Sequence, residues 1–187
     1  MSGLFGLVRP VRRKCFVSYY TGDSQSVDAF VAQFGHVFIP KAIGVSEGDD
    51  FIGSNDADYV MSRIRGKYLE DSTVTICMIG SCTHSRRYVD WELKSSLRQG
   101  LYSSPNGLLG VLLPGMDSAH LPPRVEANWS RDGSGYAQFF RYPTSPEELS
   151  SWIETAFARR TTHASLISNG GDMLLYNRTC RTHDTTH

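Results

Sequence analysis

The 187-residue sequence has no apolar run of membrane-spanning length, no glycine-rich dinucleotide fingerprint and no Gly-x-Ser-x-Gly elbow. The first absence argues against a membrane-spanning helix and so against a membrane association of that kind, the second against a dinucleotide held as a Rossmann cofactor, and the third against an α/β-hydrolase. A charge excess of either sign is missing too. Lys+Arg and Asp+Glu number 19 each, so no general basic field gathers nucleic-acid phosphates, and no nucleic-acid partner is expected. Cysteine is sparse: Cys15, Cys77, Cys82 and Cys180 are the only four, and two of them lie in or beside apolar runs, where a reduced thiol acts as a small hydrophobe. A reducing cytoplasm is the expected location. The segment Met1–Lys14 agrees, because its basic residues follow its few apolar ones, the reverse of a secretory signal.

What is present alternates between two periods. Cys15–Tyr19 reads as a first strand, and Val27, Phe30, Val31 and Phe34 then recur at helical spacing behind Asp23 and Ser24. His36–Ile39 is a short apolar run closed by Pro40, followed by a long polar loop, Gly44–Asn55, of a length often tied to function. Ala57, Val60, Met61, Ile64 and Tyr68 form the stripe of a second helix, with Ser54–Asp56 offering caps. Thr73–Ile79 is nearly all apolar or β-branched, as in a strand buried on both faces at the centre of a parallel sheet.

A third helix is expected over Arg86–Gln99, and a second buried strand over Gly107–Leu113. Gly115–Gly135 reads as a long irregular connection leading to an edge strand near Phe139–Tyr142. Ser145, Pro146 and Glu148 announce a last helix, with Leu149, Trp152, Ile153, Ala156 and Phe157 as its buried stripe. The domain plan is an N-terminal extension (1–13), one α/β domain (14–160) and a C-terminal tail (161–187) that is loosely docked or partly disordered. Alternating strands and helices predict a three-layer, flavodoxin-like domain whose mostly parallel sheet, of about five strands, carries helices on both faces. A ligand then belongs outside the C-terminal strand ends where strand order reverses, beside Tyr19–Asp23 and Gly80–Ser85.

Two motifs fall at those places. Phe16-Val17-Ser18-Tyr19-Tyr20-Thr21-Gly22-Asp23 closes the first strand, and Ile79-Gly80-Ser81-Cys82-Thr83 runs on to Arg86-Arg87-Tyr88-Val89-Asp90-Trp91-Glu92-Leu93. The first resembles the aromatic-aliphatic-Ser-Tyr signature of TIR domains, and the second their Trp-Cys-x-x-Glu-Leu helix motif. The pair is most similar to the bacterial TIR-like subgroup that contains the sensor protein of Thoeris antiphage systems. Tyr88 stands where many TIR domains have Trp, and Gly44–Asn55 lacks the Arg-Asp-x-x-Pro-Gly pattern of receptor-type members.

The resemblance implies an enzyme that cleaves the nicotinamide–ribose bond of NAD and makes an ADP-ribose-derived signal, linear or cyclic, for a separate effector protein. It also implies a phage-derived protein trigger and self-association that completes the site. NAD is then substrate rather than cofactor. A carboxylate would face the developing oxocarbenium charge, and Glu92 is the catalytic candidate. Phe16, Ser18, Tyr19, Tyr20 and Asp23 are expected to line the nucleotide pocket, with a tyrosine stacking on a ring. Gly80, Ser81, Thr83, Arg86 and Tyr88 complete the candidate substrate site, Ser81, Thr83 and Arg86 by holding phosphate oxygens.

Plainer readings stand beside these. A Glu inside an amphipathic helix is most often solvated, and a wheel drawn on Val89, Leu93 and Leu97 leaves Glu92 half desolvated on the flank of that stripe. The same wheel turns Trp91 outward, which supports an alternative: a non-catalytic TIR-like protein–protein interaction module. Ser18 and Asp23 also fit a strand end and a helix cap. A phosphoacceptor receiver domain shares the architecture, but the first strand ends in Ser18 and Tyr19 instead of an acidic pair. No metal site is expected, since Cys77, Cys82 and His84 match no common ligand spacing.

Overall fold

A computed structural model describes residues 11–41, 44–100 and 104–186 of the chain. Five strands, β1 (Lys14–Ser18), β2 (Ile39–Lys41), β3 (Val74–Ile79), β4 (Gly107–Leu112) and β5 (Gln138–Phe140), form one sheet in the order β2-β1-β3-β4-β5. Every pairing is parallel. β3 and β4 are buried along their whole length, as their apolar runs require.

The helices divide between the faces. α1 (Ser24–Phe34) and α5 (Pro146–Thr162) cover one, where Val27, Phe30 and Phe34 meet Leu149, Ile153 and Ala156 over Cys15, Val17, Ile76 and Met78. α2 (Ala57–Ile64), α3 (Arg87–Ser96) and α4 (Pro123–Asn128) cover the other. The chain leaves β1 towards α1 on one face and β3 towards α3 on the opposite one, which opens a crevice between their C-terminal ends.

Local signals set the starts of α2 and α5. Asp56 caps α2 by accepting from the backbone N–H groups of Asp58 and Tyr59. Ser145 caps α5 through Glu148 N–H, while the Glu148 carboxylate reaches one residue further back, to Thr144 N–H at 2.8 Å. α2 ends earlier than its stripe suggested and widens into a π turn over Arg65–Leu69, which still buries Tyr68.

Other expectations are corrected. The connection Gly115–Gly135 is not wholly irregular, because Pro123 starts the short helix α4, and Arg124, Val125 and Asn128 turn inward from it. The segment after Thr162 is not loose. It runs along α3 and α4, where Asn128 exchanges two hydrogen bonds with the backbone of Ser168, Leu174 N–H donates to Asp90, and Arg178 N–H donates to Ser85 O. Finally, Cys82 and Cys180 are joined as a disulfide rather than being separate thiols, while Cys15 and Cys77 are free and buried.

The tail changes the environment of α3. Trp91 is 3% exposed, packs with Phe16, Val60 and Ile64, and donates its indole N–H to Leu174 O at 2.7 Å. The wheel that placed it in solvent counted only the sheet-facing stripe; a helix flanked by α2, α4 and the tail has several buried faces. Arg124 and Asp90 form a buried ion pair at 2.7 Å beneath the same segment. Among the described residues no helix is long and apolar enough to cross a membrane. Met1–Pro10, most of the expected N-terminal extension, lies outside the described residues.

Candidate active site

Ser18 ends β1 with its side chain on the same face as Phe16, two residues earlier, and that face looks towards α3. Glu92 projects from the middle of α3 onto it. Ser18 Oγ donates to Glu92 Oε2 at 2.6 Å, and Val45 N–H donates to Glu92 Oε1 at 2.8 Å. The carboxylate is more enclosed than the helix wheel suggested, at 4% exposure, because the loop after β2 folds over it.

That loop is built to approach closely. A Cβ at Gly44 would collide with Glu92 Oε1, so glycine is what allows the backbone to reach the carboxylate. Asp49 then anchors the turn, accepting from Ser46 N–H, from Tyr68 Oη at 2.7 Å and from Lys67, while Phe51 is buried beneath. Burial pushes the Asp49 carboxyl up, but its hydrogen bonds from Lys67, Ser46 and Tyr68 outweigh that and hold it below the usual carboxylate value.

Glu92 shows the opposite balance. Desolvation dominates and pushes its carboxyl up to about 7, against the stabilising hydrogen bonds from Ser18 and Val45, with Asp49 adding a small repulsion. The side chain forms one wall of a cleft of about 380 Å³, shared with Tyr19, Tyr20, Val45, Arg86, Tyr88 and Asn177. That size lies within the usual span of roughly 300–1,000 Å³ for small-molecule sites. Arg86 lies over the Tyr20 ring, 4.2 Å from its centroid, and Tyr88 meets Trp91 edge to face.

Asp23 sits below this wall. It occupies the cap position of α1, yet its side chain makes no capping hydrogen bond. Its carboxyl lies against the Cα of Gly80, where a Cβ would collide with Oδ2, and burial raises it while the nearby Arg86 opposes the rise. The side-chain cap is therefore not made, and the half-buried carboxyl instead packs against the backbone at the end of β3.

The crevice thus brings Ser18, Tyr19, Tyr20, Arg86, Tyr88 and Glu92 together. Other candidates lie elsewhere. Phe16 is fully buried among Phe51, Val60 and Trp91 and belongs to the core. Thr83 is buried, and its hydroxyl accepts from Gly80 N–H at 2.8 Å, so it closes the turn after β3 rather than facing the cleft. Ser81 presents its carbonyl to the Thr182 hydroxyl of the tail, which donates to it at 3.0 Å.

Sequence reading missed Val45, Ser46, Glu47 and Asn177 as wall residues. The length of the Gly44–Asn55 loop was the one signal for the first three. Asn177 had none, since its position depends on the docked tail; there its Oδ1 accepts from Arg87 N–H at 3.0 Å, in the first turn of α3.

A five-stranded parallel sheet in this order, with helices on both faces and a crevice between β1 and β3, is a flavodoxin-like α/β domain. The family described as Thoeris protein ThsB, TIR-like domain, matches residues 16–118, more than half of the chain. The chain belongs to that family, and is a TIR-like protein of Thoeris antiphage defence. None of the curated proteins matches it.

Proposed function

We propose that the protein is an enzyme that consumes NAD, breaking the bond between nicotinamide and ribose to make an ADP-ribose-derived signalling nucleotide. The observation that carries this reading is the Glu92 carboxylate, held from two sides by Ser18 Oγ and Val45 N–H at the wall of a tyrosine-lined cleft. When the glycosidic bond lengthens, positive charge develops on the ribose, and a fixed carboxylate in a desolvated site stabilises it more than water would. Nicotinamide departs as a neutral ring carrying both bonding electrons, so no strong acid is needed. The ribose carbon then accepts a nucleophile that gives up one proton: water yields ADP-ribose, and a group on the same nucleotide yields a cyclic product.

The rings of Tyr19, Tyr20 and Tyr88 offer faces for nicotinamide or adenine, and Arg86 offers positive charge for the phosphates. The cleft takes the nicotinamide–ribose half, with the remainder of NAD extending through its open mouth. In this reading the signal acts on a separate effector protein, a phage-derived protein sets the enzyme going, copies of the chain associate in doing so, and the protein works in the cytoplasm. The interaction-module reading loses its main support, since the Trp91 surface on which it rested is buried under the tail.

Purified protein incubated with NAD, with and without lysate from phage-infected cells, tests the chemistry through nicotinamide release. Glu92→Gln keeps the shape of the side chain but not its charge, and is expected to reduce the rate by roughly 10²-fold or more. Equal release by wild type and variant would remove Glu92 from the mechanism. Mass spectrometry of the accompanying product separates hydrolysis from cyclisation.

A further inference from the structure

We infer that Cys82, Cys180 and His183 form a zinc-binding site once the Cys82–Cys180 disulfide is reduced. The three side chains come from two segments 98 residues apart, the turn after β3 and a tight turn near the C-terminus. Their sulfur and nitrogen atoms all lie within 4.8 Å of one another. His183 Nδ1 is 3.2 Å from Cys82 Sγ and 3.9 Å from Cys180 Sγ. Zinc bonds of about 2.3 Å to sulfur and about 2.0–2.1 Å to nitrogen, at tetrahedral angles, require S···N separations near 3.6 Å. The two observed distances bracket that value, and binding one ion requires the two sulfurs, bonded to each other in the disulfide, to part to about 3.8 Å after reduction.

The backbone holds this arrangement. His183 and Asp184 N–H groups both donate to Cys180 O, and Cys180 N–H donates to Thr185 O, which closes the turn and brings Cys180 and His183, with two residues between them, to the same side of it. Thr182 Oγ1 ties the turn to Ser81 O at 3.0 Å, beside Cys82. Both cysteines are buried and His183 is exposed, so solvent reaches the cluster from the histidine side, where a water would take the fourth position.

Chemically, the disulfide accepts two electrons from two molecules of a small cellular thiol, which leave joined as their own disulfide. The two protein thiols released then bind Zn²⁺ with loss of two protons, and neutral His183 supplies the third bond. A reducing compartment is where protein disulfides open, so zinc would replace the covalent link there and keep the same two segments together. The link matters to the cleft: Asn177, three residues before Cys180, lines it. The local pattern around Cys82 and His84 gave no ligand pair because the partners lie at the far end of the chain.

The full chain, reduced, freed of reductant anaerobically and titrated with Co²⁺, is expected to bind one ion. It should show the thiolate-to-cobalt band in the near ultraviolet and the intense visible bands of a tetrahedral site, all erased by one equivalent of Zn²⁺. Cys180→Ser is expected to abolish the thiolate band. His183→Ala, at an exposed position where folding is not at stake, is expected to weaken affinity by roughly tenfold or more. Cys77→Ser and the oxidised chain serve as controls, the first binding normally and the second not at all. Absence of stoichiometric binding to the reduced chain, unchanged affinity in His183→Ala, or loss of binding in Cys77→Ser would each overturn the assignment.

Discussion

Ser18 and Glu92, 74 residues apart in the chain, meet through a 2.6 Å hydrogen bond in which the hydroxyl donates to a buried carboxyl oxygen. The bond favours the charged form of Glu92, and desolvation favours the neutral one; the second effect prevails and leaves the group titrating at about 7.

Rate should follow that titration. The ionised carboxylate is the form that stabilises a cationic transition state, so NAD cleavage is expected to rise with pH along a single-proton limb centred at about 7. Ser18→Ala removes a contact that favours the anion and should move the limb to higher pH. Initial rates across pH for both proteins check this; a limb in the ordinary carboxylate range for wild type would contradict the burial argument.

Stability should follow it in the opposite direction. Since the folded-state value of about 7 lies above the unfolded 4.5, the folded protein holds the proton more tightly. The associated stabilisation is fully present below the unfolded value and is lost as pH rises through about 7, amounting to about 3 kcal/mol at most. Urea denaturation at pH 5 and pH 8 should show this loss in wild type and a flatter profile in Glu92→Gln.

Gly44→Ala places a methyl group against Glu92 Oε1. Either the loop or the carboxylate must shift, and a displacement of about 1 Å at a catalytic group can cost on the order of 10²-fold in rate. The expected result is a large fall in kcat with a modest change in melting temperature, measured on the same preparation.

Trp91→Ala separates a buried indole from an exposed one. With the ring packed beneath the tail, the substitution is expected to cost about 3–5 kcal/mol, whereas an exposed surface tryptophan would cost within about 0.5 kcal/mol. Chemical denaturation decides between them. Limited proteolysis should also cut the variant faster after Thr162, because Leu174 loses its indole partner.

Asp90→Ala strands Arg124 inside the protein. Both side chains of this pair are nearly buried, at 5% and 7% exposure, and removing one partner of such a pair costs roughly 3–5 kcal/mol. Replacing both by apolar residues should restore only part of the loss, because Leu174 N–H and the carbonyls of Gly171 and Asp172 also bond to this pair, and a double-mutant cycle measures the part that is regained.

Periodicity in the sequence determined the parallel sheet, the helices on both faces and the crevice, because strand and helix patterns are written in neighbouring residues and parallel connections allow few topologies. It also brought Glu92 and the end of β1 to one place. What it could not fix were contacts between residues far apart in the chain: Val45 on Glu92, Asn177 at the cleft, Leu174 over Trp91 and Cys180 against Cys82. A helix wheel sees one chain direction and one partner. Only the folded chain, by laying the Gly44 loop and the C-terminal segment over α3, turned a flank carboxylate into a buried one near neutrality and an outward tryptophan into core.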